Sequence, residues 1–301
     1  MFKVGAVDID TSHPQEFAVK MLQLGRGKYT CVYNAGFRSD NYVEKFMNEK
    51  DVPIRCSTLN EMAEQVDVAF IHSCNWDRHL ELAEPFIKAA KPVFIDKPIV
   101  GNLADCVQIE TYVKKGANIL GSSALRYCVE FDEFMAKPIS ERGEIIALFG
   151  SVGVDEFNYG IHVVEGFGRF VTNAHSVQCI SSGNVEIYRI KYQNGIQAVY
   201  QLSTGIWRPA VFVLTTTKGT FTIVPDPQKL YNALLTRIFD GLENNSPLAS
   251  IDELTDSIKI MLAGKKSRQL HGLEIKLSDL CLNDPGYDGY AFERYYAKLS
   301  G

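Results

Sequence analysis

The first 120 residues alternate between short apolar runs and amphipathic stretches, and this alternation constrains the fold more than any other feature. Apolar residues recur at helical spacing in Pro14 to Leu24 and in Arg78 to Ala89. Such alternation predicts right-handed βαβ units and a parallel sheet. The predicted strands are 3–7, 29–35, 66–72, 92–95 and 118–121, and the predicted helices are 14–24, 41–49, 78–89 and 103–115.

The pattern changes after about Ser122. Runs rich in β-branched and aromatic residues, such as Val185 to Tyr192 and Gln197 to Ser203, are separated by turn signals such as Asn194-Gly195. Helical patterns return at 230–243 and 251–263. We therefore predict an α/β protein in which an N-terminal Rossmann-like, doubly wound parallel sheet (1–121) precedes a C-terminal α+β domain (122–301) with a large, mainly antiparallel open sheet.

Composition excludes several classes of function. The chain has 301 residues and a net charge of −5, so it lacks the cationic field of a nucleic-acid-binding protein. No apolar run reaches the roughly 18 residues that span a bilayer, so we expect no membrane partner. The seven cysteines are scattered and form no C-x-x-C pair, which indicates reduced thiols in a cytoplasmic protein and no zinc site built on these cysteines.

One lysine stands at a position that favours chemistry. Lys97 follows the apolar run Phe94-Ile95, at the carboxyl end of a predicted parallel strand. Open α/β sheets bind ligands in the crevice outside these strand ends. Burial there would lower the pKa of the lysine and make it a usable proton donor. The alternative is a surface lysine that closes a strand.

Short motifs along nearly the whole chain resemble those of the Gfo/Idh/MocA family of NAD(P)-dependent sugar and cyclitol oxidoreductases. They are the strand Val66 to Ile71 followed by Asn75 and His79, then Asp96-Lys97-Pro98, Arg126-Tyr127, Gly160-Ile161-His162 and Lys218-Gly219-Thr220. Their common order and spacing, rather than any single motif, carry the resemblance.

The resemblance implies an oxidoreductase that moves a hydride between NAD or NADP and a sugar, cyclitol or similar polyol. It also implies a homo-oligomer, dimer or tetramer, formed through the C-terminal sheet. Lys97 and His162 would handle the hydroxyl proton, and Glu165 would either orient His162 or stand as a solvated helix acid. Arg126 and Tyr127 would line the substrate cleft, although Arg126 could equally brace the domain interface.

The residues expected to contact the dinucleotide give a slight preference for NADP. The second predicted strand ends without an acid that could hold a ribose 2′-hydroxyl, whereas Arg38 and Ser39 follow it and could hold a 2′-phosphate. By resemblance, Asn75 and His79 would lie near the nicotinamide ribose. The full predicted cofactor-binding set is Asp8, Asp10, Ser12, His13, Arg38, Ser39, Asn75, His79 and Asp96.

The glycine fingerprint departs from the family pattern. The three glycine positions of G-x-G-x-x-G are here Asp8, Asp10 and His13. Carboxylates add bulk and negative charge where a pyrophosphate would approach the helix N-terminus. The cluster is therefore a solvated loop, a site for a sugar or an altered cofactor pose, or a site for a divalent metal. Ser12 is predicted to cap the following helix, with Gln15 completing a capping box.

A second departure lies at the expected catalytic centre. The family's proton-transfer aspartate corresponds to Asn158, and an amide cannot act as a general base, although it can orient a hydroxyl group. Three functions stay open: the oxidoreductase, a non-redox enzyme (isomerase, lyase or hydrolase) on the same scaffold, and a catalytically silent subunit.

Overall fold

The protein is described by a computed structural model that covers residues 1–300, and its first half alternates strands with helices. These are β1 (Phe2–Val7), α1 (His13–Leu24), β2 (Gly27–Tyr33), α2 (Asp40–Lys50), β3 (Ile54–Arg55), α3 (Leu59–Gln65), β4 (Val68–Ile71), α4 (His79–Lys88), β5 (Val93–Ile95), α5 (Leu103–Lys114) and β6 (Ile119–Leu120). The strands form one parallel sheet in the order β3-β2-β1-β4-β5-β6. Its winding reverses between β1 and β4, which places the ligand crevice above the carboxyl ends of these two strands.

The second half forms a separate sheet with helices on one side. Its elements are α6 (Val129–Ala136), α7 (Ile139–Arg142), β7 (Ile145–Val154), α8 (Gly160–Phe167), β8 (Ala174–Ser181), β9 (Val185–Tyr192), β10 (Gln197–Thr204), β11 (Val211–Thr216), β12 (Thr220–Ile223), α9 (Leu230–Asn244), α10 (Ile251–Gln269), β13 (Ile275–Lys276) and α11 (Gly289–Ser300). The strand order is β12-β11-β7-β10-β9-β8-β13. Strands β7 and β10 run parallel and the other neighbours run antiparallel. The predicted fold class is confirmed.

Burial explains why the two sheets read differently in the sequence. Every residue of β4 and of β5 is buried, because helices cover both faces of the first sheet. Along β9, buried residues alternate with less buried ones, as expected for a strand with one face on the core. Short 3-10 helices at Trp76–Arg78, Ala124–Tyr127 and Leu277–Asp279 join the larger elements.

The C-terminal half also returns to the first sheet. Leu234 and Ile238 of α9 belong to the same apolar cluster as Val4 of β1 and Phe17 of α1. The predicted helix at 230–243 thus fills the layer beside α1. Within residues 1–300, no helix is both long enough and apolar enough to cross a membrane.

The periodicity analysis missed α3. This helix has seven residues, of which only Met62 and Ala63 are buried. A helix of two turns presents too few apolar residues to show a 3.6-residue period. Its start is marked instead by Thr58, whose hydroxyl accepts a hydrogen bond from the N–H of Glu61 at 3.1 Å.

Candidate active site

One cavity is lined by residues from both halves of the chain. Its volume of about 320 Å³ suits a small ligand. Lys97 follows β5, His162 lies on α8 and His13 begins α1, and all three line the cavity. Other lining residues are Ser12, Asp96, Leu125, Tyr159, Trp207, Arg208 and Tyr231. The fold therefore brings Lys97 and His162, from opposite halves, into one site.

Asp96 is a buried carboxylate shared by two imidazoles. Its Oδ2 lies 2.6 Å from Nδ1 of His13 and 3.0 Å from Nδ1 of His72. Its Oδ1 accepts the backbone N–H of Lys97 at 2.8 Å. Burial alone would raise the pKa of Asp96, but the two histidines reverse this and hold it well below its usual range. Because the carboxylate is ionised, both Nδ1 atoms carry the hydrogen that faces it.

The two histidines differ at their other ring nitrogen. The hydroxyl of Tyr29 lies 2.8 Å from Nε2 of His72, and burial keeps the pKa of Tyr29 well above its usual value, so the hydroxyl donates. Burial lowers the pKa of His72, which favours the neutral ring. Nε2 of His13 has no hydrogen-bond partner in the described part of the chain. His13 therefore offers a free ring nitrogen in the cavity that it lines.

Lys97 is held by the residue that stands where the family's acid was expected. Its Nζ donates to the side-chain oxygen of Asn158 at 2.6 Å and to the carbonyl oxygen of Asn158 at 3.0 Å. An ammonium group has three hydrogens, so one remains for a ligand. Burial lowers the pKa of Lys97, and the nearby Asp96 only partly opposes this. Asn158 thus orients the lysine instead of accepting a proton.

The sequence analysis missed Asp155, an acid in the same loop. Its Oδ2 accepts from the side-chain N–H of Asn158 at 3.3 Å, and its Oδ1 accepts from the backbone N–H of Tyr159 at 3.1 Å. Burial raises the pKa of Asp155, although the charge of Lys97 opposes the rise. The sequence did contain a signal for Asp155, because it is an acid three residues before Asn158, the position where the family's acid was expected.

His162 is positioned by a serine. Its Nδ1 lies 2.6 Å from the hydroxyl oxygen of Ser123, which also accepts the backbone N–H of Leu125 at 3.2 Å. Burial, and then the charge of Lys97, lowers the pKa of His162 well below its usual value. The ring is therefore neutral, and Ser123, whose oxygen already accepts one N–H, can donate its hydroxyl hydrogen to Nδ1. In that arrangement the ring hydrogen of His162 is on Nε2.

Glu165 binds the Ser122-Ser123 segment and makes no direct hydrogen bond to His162 within the described structure. It is fully buried and accepts hydrogen bonds from the hydroxyl of Ser122 and, at 3.0 Å, from the backbone N–H of Ser123. Burial raises its pKa. The structure places Ser123 between Glu165 and His162, and Glu165 does not line the cavity.

The turn after β1 is tied to its neighbours by Asp8. This residue has a φ of 56°, in the left-handed region, and is fully buried. Its Oδ1 accepts the backbone N–H groups of Ala35 at 2.7 Å and Gly36 at 3.0 Å, and Arg78 lies 3.4 Å from its Oδ2. Burial raises its pKa, which these donors oppose. The carboxylate thus closes the gap between the loops that follow β1 and β2.

Asp10 closes the same crevice on the side of β4. Its Oδ2 accepts the backbone N–H of Cys74 at 3.1 Å, whereas its Oδ1 is buried and has no partner among the described residues. A Cβ atom built on Gly36 would lie only 2.1 Å from this Oδ1, so the two loops touch. Burial, and then the neighbouring Asp8, raises the pKa of Asp10 to about 7.

Helix α11 covers this edge of the sheet. The ring of Phe292 lies 4.9 Å from that of Trp76, and the ring of Tyr296 lies 6.1 Å from that of Phe37. The carboxylate of Glu293 accepts from the side-chain N–H of Asn75 at 2.9 Å. The C-terminal helix thus adds an acid and a layer of aromatic rings above Asp8 and Asp10.

The first turn of α1 offers few donors to an anion. The N–H of His13 donates to the hydroxyl of Thr11 at 3.2 Å, and Pro14 has no N–H. Ser12 stands at the N-cap position, yet no described residue donates to its side chain as a cap, so the predicted capping box is absent. Its backbone explains this, because φ −76° and ψ −15° are helical rather than extended.

These residues do not fit the pyrophosphate of a dinucleotide. An ionised carboxylate about 4 Å from a phosphate costs about 4 kcal/mol at an effective dielectric of 20. Protonation of Asp10 would remove its charge but not its bulk, and the hydrogen bonds of Asp8 and Asp10 already link the loops around the crevice. Among the described side chains, no group of three or more His, Cys, Asp or Glu is arranged to hold a metal ion.

The two residues that suggested NADP serve the protein itself. The guanidinium of Arg38 donates to the backbone oxygen of Asp10 at 2.7 Å and lies over the rings of Phe37 and Tyr42 at 4.6 and 4.4 Å. The hydroxyl of Ser39 caps α2 by accepting the N–H of Tyr42 at 3.3 Å. The preference for NADP therefore has no support.

Asn75 and His79 are likewise engaged in the loop after β4. The side chain of Asn75 accepts the N–H of Asp77 at 3.2 Å and so caps the 3-10 helix. Both ring nitrogens of His79 face backbone oxygens, that of Ile99 at 3.0 Å and that of Ser73 at 2.9 Å. Both side chains are buried, which separates them from any ligand in the cavity.

Arg126 lies outside the cavity and braces the protein. Its guanidinium donates to the backbone oxygens of Glu165 and Gly168, each at 3.2 Å, and pairs with Glu253. It borders a different cavity, of about 470 Å³, together with Tyr127. The hydroxyl of Tyr127 donates to the backbone oxygen of Gly121 at 2.9 Å. We assign the chemistry to the smaller cavity, because Lys97 and His162 line that one.

Comparisons with known proteins agree with this fold. Residues 8–123 match a family described as an oxidoreductase family with an NAD-binding Rossmann fold, Gfo/Idh/MocA. No protein with a curated description matches the sequence.

Several solved structures have the same architecture. A probable dehydrogenase from Thermotoga maritima superimposes with a TM-score of 0.79 at 15% identity, over 93% of this chain and 100% of that one. The scyllo-inositol dehydrogenase of Lactobacillus casei with NAD(H) and scyllo-inositol gives 0.76 at 15%, over 92% and 99%. The myo-inositol dehydrogenase of Lactobacillus casei with NAD(H) and myo-inositol gives 0.78 at 11%, over 91% and 96%.

At these identities the solved structures establish the shared fold, including the second sheet. The sequence match begins directly after β1 and covers the turn that carries Asp8, Asp10 and His13 and the strands β2 to β6. The resemblance predicted from the motifs is confirmed for residues 8–123, which match the Gfo/Idh/MocA oxidoreductase family.

Proposed function

We propose that this protein is an enzyme that binds a small polyol-like molecule in the 320 Å³ cavity and performs acid–base chemistry on it without hydride transfer. The observation that carries the proposal is Lys97, which Asn158 holds with one ammonium hydrogen left for the ligand. We propose a reaction without hydride transfer because the turn at Asp8 and Asp10 is closed to the dinucleotide that would carry the hydride.

Lys97 and His162 supply two hydrogen-bond donors of different kinds. The ammonium of Lys97 binds a hydroxyl or carbonyl oxygen and stabilises negative charge that develops on it. Its lowered pKa brings it closer to neutral pH, which makes proton transfer to that oxygen easier. The Nε2–H of His162 donates to the same or a neighbouring oxygen. The two groups together favour a substrate with adjacent oxygen atoms.

A polyol-like substrate is also supported by the structural neighbours, two of which contain inositols. The cavity combines polar groups with the faces of Tyr159, Trp207 and Tyr231. Sugars and cyclitols present both hydroxyl groups and apolar C–H faces, so this mixture suits them.

NAD-dependent oxidation of the same kind of substrate is the second candidate. The family description and the NAD(H)-bound neighbours favour it. It requires the turn after β1 to open and α11 to move from above it. Detectable binding of NADH to the purified protein would select this candidate over the first.

We further propose that the protein is a homo-oligomer, either a dimer or a tetramer, whose subunits associate through the outer face of the second sheet. We also propose that it is located in the cytoplasm. Ile180 and Val185 on this sheet are 55% and 39% exposed, and Val185 alternates with the core-facing residues of β9. Light scattering coupled to gel filtration tests the proposed oligomer, and Val185→Glu should lower the mass. A monomeric wild type would contradict it.

The function is tested by ligand binding with a matched pair of lysine variants. Saturation-transfer NMR and calorimetry with myo-inositol, scyllo-inositol and 2-keto-myo-inositol should show binding to the wild type. Lys97→Met should weaken binding at least about tenfold, because a buried charged hydrogen bond contributes about 1.5 to 3 kcal/mol. Lys88→Met, on an exposed lysine of α4, is the control. Equal affinity of the wild type and Lys97→Met, or no binding to the wild type, would contradict the proposal.

A further inference from the structure

We propose that His13, oriented by Asp96, is the base of this site and removes a proton from a carbon atom next to a carbonyl group of the substrate. The inference rests on the proposed function, because it uses the same cavity. It adds the class of reaction, proton transfer at carbon, and a residue whose position in the family pattern is a glycine.

The ring of His13 is fixed on several sides. Its Nδ1 is 2.6 Å from Asp96, it stacks on Phe17 with ring centres 5.7 Å apart, and the edge of Tyr231 lies 5.2 Å away. Its side chain is 16% exposed. A carboxylate that holds Nδ1–H leaves the lone pair on Nε2, which is the arrangement that orients a histidine as a general base.

The carboxylate itself is held in turn. His72 donates its Nδ1–H to the same oxygen of Asp96, and the hydroxyl of Tyr29 fixes the other nitrogen of His72. All three of these side chains are buried. This series of hydrogen bonds explains why the polar aromatic side chains of His72 and Tyr29 lie in the core of the first sheet, beneath the turn after β1. A solvated loop at His13 would not explain their presence there.

The two cavity histidines present opposite faces to a ligand. In its neutral form His13 carries a lone pair on Nε2, whereas Nε2 of His162 carries a hydrogen when Ser123 donates to its Nδ1. One base beside two donors, His162 and Lys97, is the set of groups that enolisation requires. Oxidation of a hydroxyl group would not need a second imidazole with a free lone pair.

The step is balanced without an external oxidant or reductant. The C–H bond next to the carbonyl breaks, and its proton passes to Nε2 of His13, giving an imidazolium paired with Asp96. The electron pair forms a C=C bond, and the carbonyl π pair moves to oxygen, where Lys97 and His162 stabilise the enolate. The proton of the hydroxyl group on the deprotonated carbon then passes to the enolate oxygen, and the C=O bond forms at that carbon. Return of the proton from His13 to the former carbonyl carbon completes a 1,2-isomerisation of the hydroxyketone.

Solvent exchange tests the base directly. In D₂O, the wild type should replace the C–H hydrogens next to the carbonyl of 2-keto-myo-inositol or D-fructose faster than buffer, as the loss of ¹H NMR signals shows. His13→Gln should slow this exchange at least about 100-fold, since general-base catalysis contributes that much or more. The same variant should bind the ketone with an affinity within about threefold of the wild type, because the glutamine fills the site. His175→Gln, on the exposed start of β8, is the control.

A ¹⁵N NMR spectrum of the wild type tests the tautomers without a variant. It should show the hydrogen of His13 on Nδ1 and that of His162 on Nε2. A His13 hydrogen on Nε2 would overturn the inference, even if His13→Gln failed to fold.

The outcomes separate the two proposals. Exchange that survives in His13→Gln at the wild-type rate would overturn the role of His13, while loss of ketone binding in Lys97→Met would still support the proposed function. Binding of the ketones with exchange no faster than buffer would also overturn the inference alone. Failure of the wild type to bind any probe would overturn the proposed function and this inference together.

Discussion

The crevice above β1 and the cavity beside β5 lie at one edge of the same sheet, yet they have opposite chemistry. The crevice is filled by Asp8 and Asp10, whose hydrogen bonds link the neighbouring loops. The cavity is open and contains the ammonium of Lys97 and the imidazole of His162. The comparison shows that a βαβ sheet determines where a ligand can bind, while the side chains at each strand end determine the charge that each site presents to the ligand.

The difference also shows that a sequence match to an NAD-binding family does not by itself establish that a dinucleotide binds. The turn that carries the carboxylates falls within the sequence match to an NAD-binding family. The fold around it is retained, but two of the three expected glycine positions hold Asp8 and Asp10, which add bulk and, when ionised, negative charge. Four predictions test this contrast, from the largest expected effect to the smallest.

Removing both carboxylates should create affinity for a dinucleotide. The double variant Asp8→Gly/Asp10→Gly should bind NADH at least about 1000-fold more tightly than the wild type, since a single ionised carboxylate beside a phosphate costs about 4 kcal/mol. Calorimetry with NADH measures this. Asp51→Gly is a matched control, because Asp51 also has a positive φ, 54°, but is exposed at the end of α2. A double variant as weak as the wild type would show that the carboxylates are not what excludes the ligand.

The raised pKa of Asp10 should make stability fall as the pH rises. The folded protein holds this proton up to about pH 7, whereas the unfolded chain releases it near the ordinary value of 3.8. The free energy of unfolding should therefore lose at most about 4 kcal/mol between pH 4 and 7 from this group. Urea unfolding of the wild type and of Asp10→Asn across this range should show a steeper fall in the wild type, because other buried acids with raised pKa values remain in the variant. Parallel profiles would mean that Asp10 is ionised in the folded protein throughout.

Arg126 should matter for stability rather than for ligand binding. Arg126→Met should lower the free energy of unfolding by about 3 kcal/mol, because it leaves two backbone oxygens and Glu253 without their donor. Thermal and urea unfolding measure the loss. Binding of myo-inositol should be unchanged, and a tenfold weaker affinity in a folded variant would return Arg126 to the substrate site.

Ser39 and Ser12 both stand at helix N-cap positions, but replacing each by alanine should change the free energy of unfolding by different amounts. Ser39→Ala should cost about 1 kcal/mol, because the hydroxyl caps α2. Ser12→Ala should change the free energy of unfolding by less than about 0.5 kcal/mol, because Ser12 makes no such bond within the described structure. Urea unfolding compares them. Equal losses would contradict the capping difference.

Much of the fold could be predicted because it depends on local pattern. The predicted strand at 185–192 coincides with β9, where alternation reports one buried face directly. The start of α1 was predicted one residue late, at Pro14, because His13 carries no apolar signal. The positions of α9 beside α1 and of α11 over the loop after β4 could not be predicted, since they depend on contacts between residues more than 200 positions apart.

The site could be predicted only where a residue acts from a fixed place in the fold. Lys97 and His162 follow from motif position. The role proposed for His13 could not be predicted, because it depends on a hydrogen bond to Asp96, a carboxylate 83 residues away. Likewise, Asp8 and Asp10 are visible in the sequence, but only the structure shows that they bind loop N–H groups instead of facing solvent.

The central claim is that the turn after β1 is closed to a dinucleotide in the native protein. Calorimetric titration of the freshly purified wild type with NADH, and then with NADPH, tests it most directly. The account predicts no binding heat for either, while 2-keto-myo-inositol binds. A dissociation constant for NADH tighter than about 100 μM, or a stoichiometric dinucleotide retained through purification, would contradict it.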